Sequence, residues 1–199
     1  MLFDVNDYLD KFSGSGLPEP ENFFNTRRAA WHGRNKAEAR CDLAPDRHSL
    51  FSRGVMAVAL WRRSKYGRTL SELKADPEMI PFFADEVSKF IRKIIPGPLG
   101  NGLWAIVTPP PRRHLQGNFA QAVAAKVAAE LGINFYPDVA AAKNRQRVNA
   151  VYELVALPPE SNLIVFDDIY TTGSTMMSMR RLLLPLGKCL FNVVAINNG

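Results

Sequence analysis

The sequence predicts an α/β protein, a doubly wound and mostly parallel sheet following a mainly helical N-terminal hood. Three observations lead there. Beyond residue 101, short and wholly apolar runs bounded by glycine or proline alternate with a helical repeat, as parallel strands and crossover helices do. One of these runs, Leu163-Ile164-Val165-Phe166, stops at two adjacent carboxylates and a hydroxyl-rich glycine turn, the pattern of a ligand site at the carboxyl end of a strand. Before residue 101, a run apolar on nearly every side and a later apolar stripe at 3.6-residue spacing read as helices instead. The expected division is residues 1–100 as hood and residues 101–199 as core.

In chain order, Val5–Phe12 reads as a helix stopped by Ser13, Gly14, Ser15, Gly16, Pro18 and Pro20. Phe23, Phe24 and Trp31 then stand among Arg27, Arg28, Arg34 and Arg40. Aromatics interleaved with arginines either pin an arm to the core or stack and pair with nucleic acid, and with no recognised nucleic-acid module here the arm is favoured. Leu50–Trp61 is apolar on nearly every side and reads as a buried helix interrupted by Gly54. Thr69 with Glu72 forms a capping box for a short helix that Pro77 and Pro81 end. Phe83, Val87, Phe90, Ile91 and Ile94 place one apolar stripe on a helix over Phe82–Ile95.

The pattern changes at Leu103–Thr108, a short strand followed by the stiff Pro109-Pro110-Pro111 loop and by Arg112, Arg113 and His114. Phe119, Val123, Val127 and Leu131 recur every fourth residue, so Phe119–Leu131 is a helix, and Gly132 caps it. Ile133–Tyr136 is the next strand. Pro137–Ala150, with Lys143, Arg145, Gln146, Arg147 and Asn149, is too polar to pack and long enough to act as a lid. Val151–Val155 reads as a return strand, a helix runs from about Met176 to Leu186 before Gly187, and Cys189–Ile196 is the last strand.

The chemistry concentrates at Asn162–Met176, NLIVFDDIYTTGSTM. Turn amides and a helix N-terminus cradle an anion, and Gly173 lets the backbone approach it. Carboxylates such as Asp167 and Asp168 accept hydrogen bonds from vicinal hydroxyls, so strand, acidic pair and turn together suit a sugar phosphate.

This stretch resembles the phosphoribosyl pyrophosphate (PRPP) motif of type I phosphoribosyltransferases. The resemblance implies that Asp167 and Asp168 are catalytic, holding the ribose hydroxyls and favouring an oxocarbenium, while Thr171, Thr172, Gly173, Ser174 and Thr175 hold the 5′-phosphate. It further implies that Arg112 and Arg113, together with Lys143, Arg145 and Arg147 in a closing loop, bind pyrophosphate. Mg2+ is the expected cofactor, held mainly by PRPP and water rather than by a dedicated protein cage. Enzymes that salvage 6-oxopurines carry an acid two positions before the motif glycine; Thr171 stands there, which argues against that acceptor.

The form TTGST looks more like the ComF proteins of natural competence. Lys65-Tyr66-Gly67, the Gln121-Ala122 pair and Arg147-Val148-Asn149 agree with that likeness, although QGNFAQA replaces the usual RGFNQA. The cysteine-rich zinc module of those proteins has no counterpart, since Cys41 and Cys189 lie far apart without a CxxC pair. The expectation is thus a divergent ComF-like phosphoribosyltransferase acting on a nitrogen acceptor. The alternative is an accessory protein in DNA uptake or processing that binds PRPP and single-stranded DNA without turnover.

Charge bears on that alternative. The net +6 is uneven: residues 1–26 carry −4, residues 27–68 carry +8 and the rest +2. A basic block suits either a polyanion or a solvated face. No apolar run reaches the roughly 20 residues of a membrane span. The start, MLFDVNDYLD, is acidic where a signal peptide is basic, so the expected location is cytoplasmic and away from membranes.

Overall fold

The structure, a computed structural model, describes residues 43–66, 73–74, 76–111, 118–143 and 151–198. The helix at 5–12, the aromatic and basic residues of 23–40, the Thr69 and Glu72 capping box, Arg112–His114 and the 144–150 part of the basic loop lie outside the described residues. The elements below all belong to one unit, Pro45–Gly199.

Six strands form the main sheet: β1 (His48–Ser52), β2 (Val55–Arg62), β3 (Trp104–Val107), β4 (Asn134–Tyr136), β7 (Asn162–Tyr170) and β8 (Cys189–Asn197). Their spatial order is β1-β2-β8-β7-β3-β4, and every pairing is parallel except β1 with β2. A separate antiparallel ribbon joins β5 (Ala140–Ala142) to β6 (Tyr152–Leu154). The helices are α1 (Arg63–Tyr66), α2 (Ile80–Ile94), α3 (Phe119–Leu131) and α4 (Ser174–Leu183), with 3-10 turns at Pro77–Met79 and Leu184–Leu186.

Alternation along the central strands sorts the core into two layers. On one face, Leu163 and Val165 cluster with Met176, Met179 and Leu183 of α4. On the other, Phe191 of β8 stacks on Phe90 of α2 with centroids 6.3 Å apart, and Phe83 of α2 meets Phe119 of α3 edge-on at 5.1 Å. Helices on both faces of a mostly parallel sheet make the expected doubly wound architecture. Helix α3 has the expected bounds: Asn118 Oδ1 accepts the Ala120 N–H at its start, and Gly132, at φ 68°, ends it.

Four local expectations are overturned. Leu50–Trp61 is not a buried helix but most of a β-hairpin, with Arg53 (φ 55°) and Gly54 (φ 75°) as its two turn residues. Positive φ at both positions matches the right-handed twist of the strands. Val55, Ala57 and Ala59 face the α4 side, and Leu60 and Trp61 are also buried, so the segment is apolar all round without being helical. The hood is accordingly less helical than expected, since β1 and β2 join the sheet. Strand β7 also continues through the acidic pair to Tyr170, because β8 is equally long and offers it partners as far as Asn197. The loop predicted at 137–150 contains β5, whose Ala140 is buried. Its partner β6, within the predicted return strand, pairs there and not in the main sheet.

Sheet order positions the site. From β3 the chain moves outward to β4, whereas from β7 it moves the opposite way to β8. A crevice opens at the carboxyl ends of parallel strands where this direction reverses. Asp167 and Asp168 stand near that end of β7, and the proline loop leaves the same end of β3.

Candidate functional site

The site is built from the end of β7, the turn after it and the first turn of α4. Asp167 and Asp168 are both half-buried. Asp167 Oδ1 accepts the N–H of Asp168 at 2.9 Å, which orients the first carboxylate. The carboxylate of Asp168 forms an ion pair with the ammonium of Lys74, a residue that precedes the 3-10 turn leading into α2. Sequence reading passed over Lys74, which stands in no motif; only the return of its segment to the end of β7 reveals it.

Beyond Tyr170 the chain bends through Thr171, Thr172 and Gly173. Gly173 is the N-cap of α4 at φ 74°, and no side chain caps the helix. The Gly173 carbonyl accepts the Met177 N–H at 2.9 Å, and the Thr172 and Ser174 hydroxyls are 2.9 Å apart. The first N–H groups of a helix have no intrahelical acceptors and carry the positive end of its dipole, so an anion suits this position.

Glycine at 173 answers two requirements. Its left-handed backbone disfavours other residues, and a Cβ there would clash with the Tyr170 hydroxyl oxygen. The ring of Tyr170 is buried under the turn, and its hydroxyl has no hydrogen-bond partner among the described residues. The glycine predicted to let an anion approach the backbone therefore also makes room for a tyrosine beneath it.

The predicted residues are gathered only in part. Asp167, Asp168, Thr171, Thr172, Gly173, Ser174 and Thr175 are contiguous around the end of β7 and the start of α4. Lys143 follows β5, and its ammonium faces Glu153 of β6 at 3.5 Å rather than the acidic pair. Arg112, Arg113, Arg145 and Arg147 lie outside the described residues. Among the described residues no group of three or more His, Cys, Asp or Glu could hold a metal ion. The carboxylates near the turn are Asp167 and Asp168, the second already paired with Lys74, and they would suit a magnesium ion only together with oxygens from a ligand. No helix among the described residues is long and apolar enough to cross a membrane.

No family model matches the chain, and no curated protein matches it. Solved structures do. An adenine phosphoribosyltransferase is 17% identical, with a TM-score of 0.50 over 79% of this chain and 88% of that one. The adenine phosphoribosyltransferase of Saccharomyces cerevisiae is 16% identical, with a TM-score of 0.47 over 81% and 89% of the two chains. The orotate phosphoribosyltransferase of Aeropyrum pernix is 18% identical, with a TM-score of 0.43 over 81% and 79%. At these identities the first likeness speaks to architecture: the chain has the fold of a type I phosphoribosyltransferase.

Proposed function

We propose that the protein binds PRPP with Mg2+ and transfers its phosphoribosyl group to a nitrogen acceptor, releasing pyrophosphate. The observation that carries this reading is the direct succession, at the carboxyl edge of the sheet, of two half-buried carboxylates, a glycine turn and a helix start with no side-chain cap. The turn and helix start take the 5′-phosphate, and Asp167 and Asp168 take the ribose hydroxyls. In the reaction the bond from the anomeric carbon to the pyrophosphate oxygen breaks and a bond to the acceptor nitrogen forms. The acceptor's proton passes to solvent.

Positive charge develops on the ribose as the leaving group departs, and the two carboxylates stabilise it electrostatically. Magnesium, when bound, neutralises charge on the pyrophosphate oxygens. Lys74, a cation beside Asp168, is assigned to the leaving group once the ribose engages that carboxylate. The proposed pyrophosphate ligands remain Arg112, Arg113, Lys143, Arg145 and Arg147. Residues 1–100, as the hood, are proposed to choose the acceptor. Thr171 at the position of the purine-salvage acid supports an acceptor other than a 6-oxopurine.

Calorimetry with PRPP and Mg2+ tests the reading. The wild type is expected to bind, and Asp167→Asn/Asp168→Asn to bind at least a hundredfold more weakly while remaining folded. Absence of wild-type binding would sink the proposal. Activity is read as acceptor-dependent release of pyrophosphate.

A second, ComF-like reading is favoured by the exposed Arg62, Arg63 and Lys65 at the end of β2 and in α1. Arg62 reaches Asp46 at 3.4 Å and Arg63 donates to Asn198 Oδ1, contacts that binding would have to replace. On this reading the same residues contact single-stranded DNA, and neutralising all three lowers oligonucleotide affinity and its salt dependence. Unchanged binding by the triple variant would remove this surface as the contact.

A further inference from the structure

A cavity lies on the flank of α4 and reaches that helix's first residue, Ser174. Its volume is about 300 Å³, at the lower end of the range for small-molecule sites. Arg53 from the β1–β2 turn and Arg181 from α4 line it, with Ser174 and Ser178 supplying hydroxyls and Tyr152, Met177 and Leu182 an apolar wall. No acidic residue lines it among the described residues, and neither arginine has an ion pair among them. Two guanidinium groups thus share one small concavity with no compensating charge.

The position of Arg53 is set by the backbone. Strand β2 pairs with β8 only from Val58 onward, so the hairpin tip leaves the sheet. Ser52 Oγ donates to the Thr172 carbonyl at 3.5 Å, which brings that tip beside the start of α4. Among the described residues Arg53 is the only non-glycine with positive φ. Asparagine or glycine suits such a turn position better, and an arginine there costs about 1 kcal/mol. Strain of this kind collects where a side chain is needed at a particular place. Across the cavity, Ser178 is tied to the first turn of α4 by its hydrogen bond to the Ser174 carbonyl at 3.0 Å.

From this arrangement we infer a second ligand site, for a nucleoside phosphate. Arg53 and Arg181 take the phosphate oxygens, for which forked guanidinium donors are well matched. Tyr152, Met177 and Leu182 take the apolar part of the nucleoside. The site uses neither Asp167 nor Asp168 but shares Ser174 with the proposed 5′-phosphate cradle, so the two arginines, which that cradle does not use, are what distinguish it.

The test is titration of the full chain with adenosine 5′-monophosphate and, separately, inorganic phosphate, followed by amide resonances. The nucleotide is expected to move the resonances of Arg53, Ser178 and Arg181, and to bind at least tenfold more tightly than inorganic phosphate. Arg53→Gln/Arg181→Gln should weaken this binding at least tenfold and leave PRPP binding as it is in the wild type. Should that variant fail to fold, Arg181→Lys on the exposed side of α4 is expected to weaken nucleotide binding severalfold, through loss of the forked donor. Shifts confined to residues 167–173, or affinity unaltered in the folded variants, would overturn the site. Equal affinity for inorganic phosphate would overturn its assignment to a nucleoside phosphate.

Discussion

The two edges of the sheet treat their polar groups in opposite ways. At the amino edge Lys188 is buried, and its ammonium donates to the carbonyls of Pro158 at 2.7 Å, Glu160 at 2.9 Å and, at greater length, Pro159 at 3.4 Å. Glu160 is buried beside it, one oxygen accepting from Asn134 Nδ2 at 2.7 Å and from the Tyr136 hydroxyl at 3.1 Å, while its other oxygen is buried without a partner among the described residues. At the carboxyl edge Asp168 is held by one lysine, α4 has no side-chain cap and the Tyr170 hydroxyl is unpartnered among the described residues. Burial with hydrogen bonds fixes the loops that enter β7 and β8. The opposite edge, where the proposed PRPP site lies, gives up some of that satisfaction at the α4 N-terminus.

Substitutions at each edge should separate stability from binding. The largest stability effect is expected from Lys188→Met, which removes three charge-assisted bonds and leaves carbonyls buried, at a cost of about 2–4 kcal/mol. Denaturant unfolding measures it, with PRPP affinity of the folded fraction unchanged. A loss below about 1 kcal/mol would mean that water replaces the ammonium and that the amino edge is not the stabilising one.

Gly173→Ala comes next. Left-handed alanine together with the contact to Tyr170 should cost about 2–3 kcal/mol. Adding Tyr170→Phe should recover part of that loss, because the hydroxyl oxygen is the nearest atom to the new methyl. Additive costs in the double-mutant cycle would show that the two residues do not press on one another. Tyr170→Phe alone should lie within about 0.5 kcal/mol of the wild type, since the lost hydroxyl makes no bond among the described residues.

Lys74→Met should change stability by less than about 1 kcal/mol, as partly exposed ion pairs do. Its signature lies in ligand binding, where pyrophosphate affinity is expected to fall severalfold. The smallest effect concerns pH. Burial first, and then the hydrogen bond to Glu160, raise Tyr136 above its ordinary value of 10.0. The unfolded chain then loses this proton before the folded one does. Stability from this group is complete below pH 10 and is lost as pH rises through the raised value, which Tyr136→Phe should abolish.

The candidate site was legible where chemistry and local geometry coincide in one stretch. An apolar strand, two acids, a glycine turn and a helix start are contiguous in sequence, and local backbone rules place them together whatever the rest of the chain does. The bounds of α3 were legible for the same reason, through apolar residues at every fourth position and a terminal glycine, whereas the Asn118 cap shows only in the structure. Leu50–Trp61 was misread because a short run apolar on both sides has no period that distinguishes strand from helix. The pairing of β2 with β8, far along the chain, decided it.

By itself, then, the sequence determined the acidic pair, the turn and the helix that starts there, because contacts of short sequence separation need no partner from elsewhere. Tertiary structure alone decided that Lys74 meets Asp168, that Tyr170 lies beneath Gly173 and that Arg53 faces the same cavity as Arg181. Two of these meetings join segments far apart in the chain. The third, though only three residues apart, depends on β7 running on to Tyr170, which its pairing with β8 settles.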